Sequence, residues 1–447
     1  VPWWTSKVYP FAKHVRFMKE RFGMSPELSG FARYMADGGD MVAVFTRRCR
    51  QKGLAPFVSF RLNDSHGHEF VNAPRETLMK NGWLWHVMAP FHVEHPEWRL
   101  RENLNDWGGR VLNWAIPEVR AMKFAFIREI VEQYDLDGFE LDFMRHFAFF
   151  RQEETTSAQR RQIMVDFIRD VRGVLDRTAH PGQHRWLCVR IPASVTSINH
   201  MGILSHDALG IDVRAFAEAG VEMFNLSHNY FTEQVGDLAA IRELAPAAAM
   251  YNEMCHTTRV GPRVSTDFTY DEFAFRRTTR TQFYTTAHLA YARGLDGVST
   301  FNFVYYRKHG VGPRGPFNEP PFEIHRGCGD RDFVARQPQH YFLSLAAEAW
   351  GAPPRLFHAG QIETFTLDMA PPSSSAGSCK TKGWTKGGRL RIQSPEDLGD
   401  SRWRAVMNGE ELAETDDRSE PYDNPYSPLL GTPEQHRAWV VPADRCR

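Results

Sequence analysis

Glu140 and Asp142 stand two residues apart in the stretch Tyr134-Asp-Leu-Asp-Gly-Phe-Glu-Leu-Asp-Phe-Met-Arg-His146. Alternation along a strand puts both acids on one face and Phe139, Leu141 and Phe143 on the other. A buried carboxylate must be partnered, solvated or protonated, so a strand face carrying two of them is expected to line a cleft. Paired carboxylates can divide a hydrolysis between them: one gives a proton to a leaving oxygen, the other attacks or activates water. A third acid, Glu253, lies in Ala248-Ala-Met-Tyr-Asn-Glu-Met-Cys-His256. Asp142 with Glu253 is the favoured pair, and Glu140 competes for either role. For any one buried acid the plainer alternative is a structural ion pair.

Acids so placed need a scaffold of strands and helices. Pro117 to Glu132 reads as a helix, with Pro and Glu in its first turn and apolar residues at Val119, Met122, Phe126 and Ile130. The acidic stretch follows it as a strand. Further strands are expected at the start of Gly53 to His68, which turns into a polar loop, and at Arg110 to Trp114, Leu187 to Pro192, Val221 to Asn229, Ala248 to His256 and Gly297 to Phe303, separated by helices over Ala158–Arg177, from Asp212, over Val235–Leu244 and over Arg280–Arg293. This spacing is that of repeated βα units. It predicts an α/β chain: a (β/α)8 TIM-type barrel over 1–350. The first barrel strand has no convincing candidate, being either degenerate near Ser6 to Tyr9 or ahead of the chain.

The expected strand ends gather polar side chains. Arg61, Asn63, Asp64, His66 and His68 follow the second strand, Arg145 and His146 the fourth, Arg190 ends the fifth, Asn225 and His228 the sixth, Asn252 the seventh, and Asn302 and Tyr305 the eighth. One such residue is ordinary scaffold; their convergence on one rim is expected only where a ligand sits. Asp64-Ser-His66-Gly-His68 also has metal-ligand chemistry, but an ordinary polar loop is the favoured alternative, and neither a metal nor a cofactor is expected. The rim residues are therefore expected to bind substrate.

The run from Asn113-Trp-Ala-Ile-Pro-Glu-Val-Arg through the helix to Met144-Arg-His146 resembles the fourth-strand signature of the family-10-like glycosyl hydrolases, Tyr-Asp-x-Asp-Gly-x-x-Leu-Asp-Tyr-x-Arg-Tyr-Pro, over about thirty residues. It is also similar to the Asp-Gly-Phe-Arg-x-Asp block of the alpha-amylase superfamily, in which the position of Asp142 is the nucleophile and Glu140 stands where an arginine is expected. A looser likeness to chitinase-type barrels fails at Met144, where an acid is required. The resemblance implies a carbohydrate-active barrel, and two-carboxylate glycoside hydrolysis by Asp142 and Glu253. Two alternatives stay open: a carbohydrate-binding barrel without catalysis, and a polysaccharide lyase using Tyr305 or a rim histidine as base.

The 447 residues carry a formal net charge of +0, which argues against a general nucleic-acid binder. No stretch approaches the roughly twenty apolar residues of a membrane span. Six cysteines at 49, 188, 255, 328, 379 and 446 lack the spacing of a zinc ribbon or disulfide framework. Secretion or a periplasmic location, with the leader outside this chain, is the expectation. A cationic rim set (Arg61, His66, His68, Arg145, His146, Arg190, His228) in a neutral chain leads to the expectation of an anionic glycan, uronic or sulfated. After Trp350 the composition shifts to short alternating strands (Ile362–Asp368, Arg389–Ile392, Trp403–Met407, Ala438–Val441) with a turn at Met407-Asn-Gly-Glu-Glu, predicting a β-sandwich accessory domain over 351–447.

Overall fold

A computed structural model describes residues 1–106, 109–199, 202–258, 277–303, 321–343, 358–371, 384, 386–394, 396–419 and 432–445. The strands that position the chemistry are β1 (Phe57–Arg61), β2 (Gly138–Asp142) and β3 (Trp186–Pro192). A hairpin of β4 (Thr196–Asn199) and β5 (Gly202–Ser205) follows, then β6 (Met223–Ser227), β7 (Ala249–Cys255) and β8 (Gly297–Phe301). Six of these form one sheet in the order β1-β2-β3-β6-β7-β8. β1 with β2, β2 with β3, β3 with β6 and β7 with β8 pair in parallel register. Helices separate the strands, so the chain is an α/β protein of βα units, compatible with a TIM-like fold.

Two compact units divide the chain, residues 1–227 with 240–250 and residues 228–239 with 251–447. In the first, the helix Pro117–Gln133 delivers the chain to β2. Pro117 sits at its first position, where no N–H is needed. Its end is closed by the buried Arg185, which donates to the carbonyls of Val131 (2.7 Å) and Tyr134 (3.3 Å). Val119, Phe126, Ile127, Ile130 and Val131 are its buried stripe. The next helix, Ser157–Thr178, opens with a capping box in which Thr156 and Gln159 satisfy each other's end groups. Phe139 and Leu141 are fully buried, as the alternation along β2 requires. Gly138 starts β2 because a Cβ there would lie 2.1 Å from the ring of Phe57 on β1, a distance no side chain tolerates.

Neither the strand expected at Arg110 to Trp114 nor the degenerate first strand considered near Ser6 to Tyr9 is formed. Ser6 to Tyr9 is coil, because its donors go elsewhere: the carboxylate of Glu129 accepts the N–H groups of Lys7 and Val8 together with Ser6 Oγ and Trp4 Nε1. Arg110 to Trp114 is also irregular, with one bridge between Leu112 and Arg99. There Asn113 N–H donates to Trp98 O and Trp114 N–H to Phe149 O, each at 2.7 Å. The first 88 residues instead supply helices Phe11–Phe22, Gly30–Ala36 and Met41–Gln51, and a core of Met18, Phe22, Met24, Leu78, Leu84 and Trp85. The stretch Gly82 to Trp107, whose density of tryptophan and histidine reads as a long loop, contains short helical turns at Gly82–His86, Pro90–Glu94 and Pro96–Trp98.

In the second unit, the helix Arg280–Ala292 packs Phe283, Tyr284 and Ala287 against Met254, Ile324 and Val334. The expected division at 350/351 lies outside the described residues. Beyond it the described part forms two small antiparallel ladders: β9 (Gly388–Gln393) with β12 (His436–Val441), and β10 (Val406–Met407) with β11 (Glu410–Glu411). Asn408 and Gly409, both at positive φ, make the expected turn between β10 and β11. Ile362–Asp368 is not a strand; Ile362 is 91% exposed there. Among the described residues these two ladders do not by themselves show the two facing sheets of a sandwich.

Candidate active site

The register of the first unit ranks the polar groups. Arg61, Asp142, Arg190 and Asn225 lie side by side across β1, β2, β3 and β6, and Ser59, Glu140 and Cys188 form the rank before them. Both acids of β2 share the face opposite Phe139 and Leu141, as read from the sequence. Glu140 accepts from Ser59 Oγ (2.5 Å), Asn225 Nδ2 (3.3 Å) and Cys188 Sγ (3.5 Å). Three neighbouring strands thus orient one carboxylate.

Asp142 is 4% exposed. Its Oδ1 accepts from Arg190 Nη1 at 2.9 Å and from the Met144 N–H at 2.7 Å, and its Oδ2 accepts no hydrogen bond among the described residues. Arg190, 2% exposed, also donates to Ser227 Oγ at 3.1 Å. The arginine beside Asp142 thus comes from the neighbouring strand. A carboxylate aimed through one oxygen and uncommitted at the other can attack or deprotonate an incoming group.

A second cluster follows β1 and β2. Asp64 accepts from Arg61 Nη1 at 2.6 Å and from His66 Nδ1. His146 Nδ1 lies 3.7 Å from Asp64 Oδ1, and its ring meets that of His66 edge-on at 4.8 Å. Arg145 Nη2 contacts His66 Nε2 at 2.6 Å. A guanidinium only donates, so Nε2 accepts and the proton sits on Nδ1, facing Asp64. Burial pushes the Asp64 carboxyl up, but the hydrogen bond from His66 and the Arg61 guanidinium outweigh it and hold it well below the usual range. Burial drives His146 well below the ordinary imidazole range, so it is neutral near pH 7.

The remaining expected residues divide between scaffold and site. Asn63 is buried and ties two loops, donating to Leu112 O (3.0 Å) and Ala148 O (2.7 Å). His68 is buried and stacks on His92 at 3.8 Å. In the second unit, Glu253 and Asn252 are buried on β7, with Glu253 in register with Ser299, and His228 Nδ1 lies 3.8 Å from Glu233. Asn302 takes positive φ just after β8. Tyr305 lies outside the described residues. Sequence reasoning missed Lys123, half-buried over the Phe60 ring at 5.7 Å and lowered to about 8 by burial, with Asp64 opposing. Lys123 lies on a helix face with no local signal.

No family model and no curated protein matches this chain. Among solved structures, an alpha-L-fucosidase isoenzyme 2 from Paenibacillus thiaminolyticus superposes with a TM-score of 0.37 at 13% identity, covering 66% of this chain and 39% of that one. A class V chitinase from Pseudomonas fluorescens Pf-5 gives 0.33 at 13% identity, over 60% of this chain and 82% of that one. An alpha-galactosidase from Lactobacillus brevis gives 0.32 at 14% identity, over 92% and 47%. The chain thus spans well under half the length of the fucosidase, and likenesses this loose decide neither substrate nor mechanism.

Proposed function

We propose that the chain is a glycoside hydrolase in which Asp142 is the reacting carboxylate. One observation carries the reading: Asp142 is buried at the C-terminal end of a parallel strand, oriented through Oδ1 by Arg190 and the Met144 N–H, with Oδ2 uncommitted among the described residues. The C-terminal ends of such strands are where α/β barrels do their chemistry, and glycosidic cleavage needs a carboxylate held in this way. The proton donor to the leaving oxygen is assigned to Glu253, buried on β7, with Glu140 as the competitor. Arg61 and Arg190, expected to bind a substrate's anions, pair with Asp64 and Asp142, so the reading requires no acidic sugar.

The test is product analysis on purified protein against neutral, uronic and sulfated polysaccharides. Hydrolysis releases new reducing ends without ultraviolet absorption. An unsaturated, absorbing product would mean a lyase, and retention of glycan without cleavage would mean a binding protein.

A further inference from the structure

We infer that Asp64, His66 and His146 form a binding site for one divalent transition-metal ion of the zinc class, with coordination positions left open to water or a substrate oxygen. One carboxylate oxygen and one nitrogen of each imidazole lie within 4.8 Å of one another. Metal–ligand bonds of about 2.1 Å let two ligands of one ion stand at most about 4.2 Å apart, so shifts well under an ångström close the set. The 3.7 Å from Asp64 Oδ1 to His146 Nδ1 is already a span that one ion bridges. Two imidazoles and a carboxylate suit zinc and its neighbours, whereas magnesium and calcium prefer oxygen alone.

Burial is graded across the three: the His146 side chain is 0% exposed, Asp64 24% and His66 28%. A site walled on one side and open on the other matches three protein ligands with free positions, not a closed structural centre. A second, independent oddity lies nearby. His68 and His92, both buried and stacked, have no hydrogen-bond partner for any ring nitrogen among the described residues, and both lie within electrostatic reach of Asp64. Buried imidazoles so placed are uncommon.

Arg145 sets the competition. It donates to His66 Nε2, which keeps the proton on Nδ1. A metal on Nδ1 displaces that proton and leaves an N–H at Nε2 facing the Arg145 donors. The ion and Arg145 therefore compete for His66.

The experiment uses the full chain without a histidine tag. Zinc chloride is titrated calorimetrically, dialysed protein is assayed for bound metal, and cobalt is read by its visible absorption. One equivalent should bind. Asp64→Asn and His66→Gln, both at partly exposed positions, should each weaken binding by more than the roughly 100-fold that loss of an outer partner causes. Arg145→Gln should tighten it. Less than about a tenth of an equivalent bound, or affinity unchanged in both Asp64→Asn and His66→Gln, would overturn the site, and weaker binding in Arg145→Gln would overturn its assignment through His66 Nδ1. None of these readouts is activity, so failure here leaves the Asp142 assignment intact.

Discussion

Arg190→Met should destabilise the first unit severely. The Arg190–Asp142 pair is 2.9 Å long between side chains only 3% and 5% exposed. Removing one partner of such a pair strands the other charge, at a cost of roughly 3–5 kcal/mol, and the hydrogen bond from Arg190 to Ser227 Oγ is lost as well. For a unit of this size each kcal/mol moves the melting temperature by roughly 2–4 °C, so a fall of roughly 6–20 °C is expected. Asp142→Asn keeps the shape and the Met144 contact but leaves the guanidinium charge buried, so it too should lower the melting temperature. Because both substitutions break one interaction, the double variant should lose less than the sum, by a coupling of at least about 1 kcal/mol. Thermal unfolding followed by circular dichroism on the four proteins of the cycle measures this. If Arg190→Met shifts the melting temperature by no more than about 2 °C and the two changes are additive, the pair is not the buried anchor described above.

Three further outcomes follow from particular contacts. Gly138→Ala places a methyl 2.1 Å from the Phe57 ring and should cost roughly 1–3 kcal/mol, largely recovered when Phe57→Ala is added; no recovery in chemical denaturation would mean the strain lies elsewhere. His14, fully buried beside Trp85 O, is lowered by burial to about 3 from the usual 6.5. The unfolded chain therefore binds the extra proton between those values, so its contribution is complete above pH 6.5 and is lost as pH falls toward 3, at up to about 1.4 kcal/mol per unit. His14→Gln should flatten the acid limb of a stability-versus-pH curve, and an unchanged limb would refute the attribution. Glu253→Gln should lose activity on natural glycans yet partly recover on an aryl glycoside with a good leaving group, where departure needs less protonation; no recovery would exchange the roles of the two acids.

The sequence made the acidic strand legible because its alternation is local: Phe139 and Leu141 are buried on one face, and Glu140 and Asp142 share the other. The helices at Pro117–Gln133 and Ser157–Thr178 carried their own caps and stripes and were read nearly to the residue. Arg110 to Trp114 misled because Val111, Leu112 and Trp114 are wholly buried, and a buried apolar run in a pinned loop has the composition of a strand. Ser6 to Tyr9 was undecidable in one dimension, since its hydrogen bonds end on Glu129, more than a hundred residues away. The partners of the cationic rim were hidden for the same reason. That Arg190 serves Asp142 and Arg61 serves Asp64 depends on strand register and loop placement, which no spacing in the sequence encodes. In the C-terminal part, turn chemistry at Asn408-Gly409 was readable, whereas sheet partnership for Ile362–Asp368 was not.

The central claim is that Asp142 performs the chemistry, and the comparison of wild type with Asp142→Asn on whichever glycan the wild type cleaves tests it most directly. The amide preserves size and the hydrogen bond from Met144 but can neither attack nor take a proton. Reducing-end release should fall by roughly a thousandfold or more while glycan affinity, measured by calorimetry on the folded variant, stays near the wild-type value. Turnover within about tenfold of wild type would contradict the assignment and leave Asp142 as the buried counter-ion of Arg190.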